Sequence, residues 1–195
     1  MSDNTSASLL DCLRQQPDAG AWQRLVDLYD PLIRHWLRRH NLLPQDADDV
    51  VQEVLTVVVR KIAEFRKEPR AGAFRRWLKN ITINCVRDHW RARNKGPAGT
   101  GDSDVLQILN QLEDPHSALS REWDLEHDRH VTARLLQLIE PHFEAKTWQA
   151  FRRLAVDGAA PDAVAAELGI SVNAVFIAKS RVLSRLRQEG EGLLD

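Results

Sequence analysis

The sequence predicts an all-α protein of two small helical domains joined by a flexible acidic linker. Apolar residues recur at the 3.6-residue helical period along most of the chain, a Gly- and Pro-containing segment interrupts that pattern, and a helix–turn–helix pattern lies near the C-terminus. The predicted domains are residues 9–95 and 117–190, with the linker at 96–116. A chain of 195 residues is long enough for two such domains, and its 43 % hydrophobic residues exclude a wholly disordered protein.

Helical spacing predicts three main helices in the first domain. The first covers residues 22–37 and contains Pro31, which predicts either a kink or a new helix capped by Asp30. The second begins near Asp46, and its helical period over about five turns should override the strand propensity of a local valine run. The third covers residues 73–93 and carries a polar stripe between apolar stripes.

The second domain contains the clearest local pattern of the chain. Helical periods at residues 131–139 and 144–156 precede a short amphipathic helix, a turn and a longer helix within 161–187. Gly169 permits a positive φ in the turn, and Ser171 can cap the second helix. This pattern is typical of a helix–turn–helix, whose second helix enters the DNA major groove. A plain helical hairpin packed in a core is the alternative.

Charge is distributed unevenly along the chain. The net charge of −1 by itself argues against a nucleic-acid partner. However, residues 31–95 carry 15 basic and 7 acidic side chains, and residues 96–130 carry 2 basic and 8 acidic ones. Within the basic block, residues 66–95 carry 10 basic and 2 acidic groups, while 171–187 carry four basic groups and no acid. Two basic segments separated by an acidic one indicate nucleic-acid contact at two places.

Composition also bounds the setting of the protein. No apolar run approaches the roughly 20 residues that span a bilayer, so no membrane insertion is expected. The polar, acidic start does not resemble a secretory signal. Two cysteines make no disulfide framework. We therefore expect a cytoplasmic protein.

The acidic segment Asp46–Leu55 allows three interpretations. Its four acids could suggest a divalent-metal site, but they do not converge with a second carboxylate cluster. They could form a solvated first helical turn, or a surface that docks on a partner protein. Two further groupings, Cys85 with His89 and His127 with His130 and Asp124, offer too few ligands for a metal site. We expect no bound metal, no cofactor and no catalytic residue.

Three ordered motifs together resemble the extracytoplasmic-function (ECF) group of bacterial RNA polymerase sigma factors. The segment Asp46–Leu55 is similar to region 2.2, which docks on the β′ clamp helices of the polymerase. The segment Arg70–Asp88 is similar to regions 2.3 and 2.4, which bind and melt the promoter −10 element. The helix–turn–helix at 161–187 is similar to region 4.2, which reads the −35 element. The resemblance covers most of the chain.

The resemblance, together with charge and spacing, implies a role for each set of residues. Polymerase binding is expected at Asp46, Asp48, Asp49, Gln52 and Glu53. Contact with the −10 element is expected at Arg75, Arg76, Lys79, Asn80, Asn84, Arg87, Asp88 and Arg91. Contact with the −35 element is expected at Ser171, Asn173, Phe176, Lys179, Ser180, Arg181 and Arg185. The implied partners are core RNA polymerase through its β′ and β subunits, promoter DNA and an anti-sigma factor.

Aromatic and apolar residues complicate two of these surfaces. Trp77 fits the apolar stripe of its helix, whereas Trp90 could pack in the core or stack on a base. The recognition helix reads Phe176-Ile177-Ala178 where the family often has polar or basic residues. Such side chains can contact a thymine methyl group or pack against a partner protein.

The predicted function is therefore that of a sigma factor, which directs core RNA polymerase to promoters and opens the DNA. A stand-alone helix–turn–helix regulator is the alternative, and it leaves the acidic and basic helices of the first domain unexplained. A metal-dependent nuclease that uses Asp46, Asp48, Asp49 and Glu53, or an inactive sigma-like regulator, are further alternatives.

Overall fold

The computed structural model describes residues 8–15, 18–40, 42–65, 72–93 and 102–194. All regular secondary structure in these ranges is helical, which confirms the all-α class. Contacts between residues divide the chain into two compact units. The first unit contains residues 9–131 and 192–194, and the second contains residues 132–191 and residue 8.

The first unit is built from helices that bury large apolar side chains. Its helices are α1 (Leu9–Gln15), α2 (Ala19–Arg39), α3 (Pro44–Lys61), α4 (Ala73–Arg93), α5 (Asp102–Glu113) and the N-terminal part of α6 (Ala118–Ile139). A 3₁₀ turn at Ile62–Glu64 follows α3. The core contains Tyr29, Trp36, Phe74, Leu78 and Trp123, each less than 2 % exposed.

Prolines bear on two differences between the helices of the first unit and the sequence-based prediction. Helix α2 runs through Pro31 without a second start at that residue. Proline has no N–H to donate to the carbonyl group four residues earlier in the helix. Because Pro31 is exposed, water can hydrogen-bond to that carbonyl group instead. Helix α3 begins at Pro44 rather than near Asp46, because proline at the first helical position has its φ angle preset and needs no hydrogen-bond acceptor.

Aromatic rings join α2 and α4 in this core. The ring centroids of Tyr29 and Phe74 lie 5.5 Å apart, and those of Phe65 and Phe74 also lie 5.5 Å apart. Trp77 packs at 5.1 Å from Phe65 and 5.4 Å from Phe74. The interpretation of Trp77 as a packing residue is therefore confirmed.

Part of the segment predicted as a flexible linker forms helix α5. Its Leu109 and Leu112 are buried, which ties the helix to the first unit. The linker prediction follows from the Gly, Pro and Asp residues of 96–104, which are typical of loops. It does not include the helical spacing of apolar residues at 105–112. The first part of the predicted linker, residues 96–101, lies outside the described residues. The first unit extends to residue 131, and the family-based division at 9–95 and 117–190 stays a prediction.

The second unit packs the end of α6 with three shorter helices. These are α7 (Ala145–Phe151), α8 (Pro161–Leu168) and α9 (Val172–Glu189). A 3₁₀ turn at Glu140–His142 follows α6, and a π-helical turn at Arg152–Val156 follows α7. One part of the core joins Val164, Ala165, Val175 and Ala178, and another joins Ile139, Trp148, Phe151 and Val182.

Helices α8 and α9 form the predicted helix–turn–helix. Gly169 adopts φ +63° in the turn, and the Ser171 hydroxyl accepts a hydrogen bond from the Ala174 N–H at 3.1 Å. The helix axes are bent by 100° relative to each other, as expected for this motif. In the described residues, no single helix is long and apolar enough to cross a membrane; α8 and α9 reach that composition only as this bent pair.

Candidate nucleic-acid interface

Helix α4 presents one continuous polar surface to solvent. Five of the predicted −10 residues are exposed and recur every three or four positions, so they share one helical face. We call this face the exposed stripe: Arg76, Asn80, Asn84, Asp88 and Arg91. It combines guanidinium groups, which bind phosphate, with carboxamides, which can hydrogen-bond a base edge. Its acidic member, Asp88, lies 3.4 Å from the Arg91 guanidinium.

The other three predicted −10 residues lie on a neighbouring face of α4 and are bound to acids of the same unit. We call Arg75, Lys79 and Arg87 the paired cations. The Nη1 atom of Arg75 donates to both carboxylate oxygens of Asp128 at 2.5 and 2.6 Å, and its Nε lies 3.2 Å from Asp124. The sequence pattern did not separate these three residues from the exposed stripe.

Lys79 and Arg87 complete this set of ion pairs. The Lys79 ammonium is buried and donates to the Ser120 hydroxyl at 2.7 Å and to Asp124 at 3.2 Å. The Arg87 guanidinium donates to Glu113, a hydrogen bond that holds the pKa of the Glu113 carboxyl below its ordinary value. A buried ammonium ion needs such compensation, because burial without it costs several kcal/mol.

The start of α4 is shaped to accept the Arg75 side chain. Gly72 has φ +72°, and its carbonyl accepts a hydrogen bond from the Arg76 N–H at 3.0 Å. A Cβ atom at Gly72 would lie 2.6 Å from Arg75 Nη2. Glycine is therefore favoured here by the positive φ angle, and a Cβ atom would also displace the end of the Arg75 side chain.

A buried histidine lies beside these ion pairs. His127 is 0 % exposed, with Nδ1 at 3.0 Å from Asp128 and Nε2 at 3.4 Å from the Tyr29 hydroxyl. Burial lowers the pKa of His127, which favours the neutral ring. Because the Asp128 carboxylate can only accept a hydrogen bond, Nδ1–H donates to it, and Nε2 accepts from the Tyr29 hydroxyl. Burial acts to raise the pKa of Asp128, but hydrogen bonds from His127 and Arg75 outweigh it and hold that pKa below its ordinary value.

The acidic residues of α3 divide into two groups in the same way. Asp46 binds Arg93 and lies 3.4 Å from His89 Nε2, while Asp48 binds Arg34. The remaining three predicted polymerase-binding residues are exposed on one face at spacings of three and four. We call these the α3 trio: Asp49, Gln52 and Glu53. The structure thus leaves the trio accessible and uses Asp46 and Asp48 within the unit.

A cleft of about 450 Å³ lies between helices α3 and α4. Asp49, Glu53, Asn84 and Asp88 all line it, together with the Cys85 thiol. Burial, with smaller contributions from Glu53 and Asp88, raises the pKa of Cys85 to about 11, so the thiol is neutral. Among the described residues, no group of three or more His, Cys, Asp or Glu side chains is arranged to hold a metal ion.

The second helix of the helix–turn–helix exposes most of the predicted −35 residues. Ser171, Asn173, Ser180 and Arg181 are exposed, whereas Lys179 and Arg185 are half-buried. Arg185 pairs with Glu189 of the same helix at 2.7 Å. The apolar pair Phe176 and Ile177 is 49 % exposed at each residue. The helix therefore presents a mixed surface, with two large apolar groups beside the polar ones.

Three acids that bind α4 are absent from the predicted site residues. The sequence pattern places Glu113 in the predicted linker, and Asp124 and Asp128 in the predicted second domain. A signal for their role was present, because the block 96–130 carries the excess negative charge that complements the basic block before it. Charge totals alone do not say which acid contacts which base.

Residues 25–96 match the family model of Sigma-70 region 2. A comparison with curated proteins finds no match. The matched segment covers most of α2 and all of α3 and α4, and therefore contains both the α3 trio and the exposed stripe. Over this segment the chain is therefore similar to region 2 of sigma-70 family sigma factors.

Proposed function

We propose that the protein is an ECF-group sigma factor that directs core RNA polymerase to a set of promoters and opens their −10 region. The observation that carries this proposal is the exposed stripe of α4, which lies within the segment that matches Sigma-70 region 2. Its arginines suit phosphate, and Asn80 and Asn84 suit a base taken out of the stack. Such a role requires no catalytic residue of the protein itself.

The α3 trio is the proposed polymerase-docking surface. It lies on the outside of α3, whereas Asp46 and Asp48 are engaged within the unit. The trio would bind the β′ clamp helices of core RNA polymerase. An anti-sigma factor would regulate the protein by covering one of these surfaces, and a cytoplasmic location follows from the same role.

Helix α9 is the proposed reader of the −35 element. Ser171 and Asn173 stand at its N-terminal end, where a recognition helix faces base edges. Phe176 extends into solvent at the next turn and suits contact with a thymine methyl group, while Arg181 and Lys179 suit phosphate. Arg185, which pairs with Glu189, contributes less charge to this surface.

In vitro transcription with core RNA polymerase tests the proposal. The purified chain is added to core enzyme on fragmented genomic DNA, and transcript start sites are mapped. We expect discrete start sites that share two sequence elements and that depend on the added chain. A stand-alone regulator would instead bind such DNA tightly without polymerase and give no new start sites.

A further inference from the structure

The acidic segment that follows α4 in the sequence lies along α4 in the structure. We call α5 and residues 118–131 of α6 the acidic cover. Three of its acids contact the paired cations: Glu113 binds Arg87, and Asp124 and Asp128 bind Arg75. Arg75 and Arg87, which lie next to the exposed stripe and could otherwise bind phosphate, are therefore already bound to carboxylates.

The cover is held by apolar packing as well as by these ion pairs. Leu109 and Leu112 are 2 % and 0 % exposed, and Trp123 is 1 % exposed. The rings of Trp123 and Trp36 meet edge to face at 4.9 Å. Apolar contacts of this kind do not depend on charge, so neutralising the acids should leave the cover in place. The electrostatic role of the cover can thus be changed separately from its structural role.

We propose that the acidic cover is an internal competitor for nucleic-acid phosphate. It neutralises Arg75, Lys79 and Arg87, and so confines the DNA contacts of the first unit to the exposed stripe. The inference rests on the proposed function, because it concerns the DNA path along α4. Its consequence is weak binding of the free chain to DNA of any sequence, which keeps the protein available for polymerase among many competing non-specific sites.

Two matched double variants of α6 test this proposal. Asp124→Asn with Asp128→Asn removes the acids that bind Arg75. Glu122→Gln with Glu126→Gln makes the same change in charge on the same helix, but its acids bind Arg39 of α2. Fluorescence anisotropy with a labelled duplex DNA of arbitrary sequence gives the affinity of each free chain over a range of salt concentrations.

We expect the first variant to bind DNA about tenfold more tightly than the control at roughly 0.1 M salt. The slope of log affinity against log salt concentration should also be steeper by about 1 for this variant, which is the change that one added phosphate contact produces. Equal affinities and equal slopes for the two variants would overturn the proposal.

A single substitution keeps the test independent of folding. Glu113→Gln releases Arg87 at the half-exposed end of the cover, and Glu122→Gln is its control with the same charge change. Where the double variant does not fold, these two single variants decide the test. Folded Glu113→Gln should bind DNA more tightly than folded Glu122→Gln, and equal binding would overturn the proposal.

The same preparations separate this inference from the proposed function. If the wild-type chain supports promoter-specific transcription but the variants bind DNA no more tightly than their controls, the proposed role of the acidic cover is wrong and the proposed function stands. Wild-type chain that gives no transcription with core enzyme would overturn the proposed function, whatever the variants show.

Discussion

Helices α4 and α9 are both basic helices, but their cations are used differently. On α4, three of the predicted DNA-binding cations bind acids of α5 and α6, and Lys79 is buried. On α9, Arg181 and Arg187 are exposed, and the pair Arg185–Glu189 lies within the helix itself. The basic charge of a helix therefore sets an upper limit on its affinity for DNA, and the neighbouring helices determine how much of that charge is available.

The largest expected effect concerns the attachment of the acidic cover to the first unit. Trp123→Ala removes a buried ring that packs on Trp36, and such truncations cost about 3–5 kcal/mol of unfolding free energy. Urea unfolding measures the loss. Leu125→Ala, on the same helix at a residue 66 % exposed, should change stability by less than about 0.5 kcal/mol. Similar stability of the two variants would show that the cover is not part of the unit.

The paired and unpaired acids of α3 give the second comparison. Asp49→Ala with Glu53→Ala should weaken binding to core polymerase by about thirtyfold, or about 2 kcal/mol, because both carboxylates are exposed on the α3 trio. Circular dichroism should show an intact fold. Asp48→Ala is the control, since Asp48 binds Arg34 within the unit. Unchanged co-purification of the double variant with polymerase would contradict the docking assignment.

Asparagines on α4 and α9 should affect different steps of initiation. Asn84→Ala, on the exposed stripe, should slow promoter opening by about tenfold, or about 1.4 kcal/mol, with little change in closed-complex binding. Asn173→Ala, on α9, should weaken closed-complex binding instead. Permanganate footprinting and gel-shift assays measure the two steps. Equal losses of binding and opening for Asn84→Ala would argue against a role in base capture.

The smallest expected effect is a pH dependence from His127. Burial lowers the pKa of His127, so the unfolded chain takes up a proton near pH 6.5 more readily than the folded chain. This contribution to stability is complete above about pH 6.5 and is lost as the pH falls through that value. The melting temperature between roughly pH 7.5 and 5.5 should therefore depend less on pH in His127→Gln. His116→Gln, at an exposed histidine, should keep the wild-type slope.

Local patterns predicted most of the helices and the turn of the helix–turn–helix correctly. Ser171 caps α9 and Gly169 has a positive φ because these properties depend on a few adjacent residues. The same reasoning failed at α5, where Gly and Pro residues near 96–101 concealed a helical period that begins a few residues later. It also could not separate Lys79 from Asn80, because both are polar residues of the same basic helix, whereas only Lys79 is covered by another helix.

Sequence patterns are enough to establish the all-α class, the helix–turn–helix and the segments that carry charge. Each follows from periodicity or composition, which are properties of residues close together in the chain. Which charges remain available depends on long-range packing, because Asp124 and Asp128 bind Arg75 across about fifty residues of chain. Such pairs depend on how whole helices pack, and a helical period specifies the residues that share a face without specifying the helix that covers it.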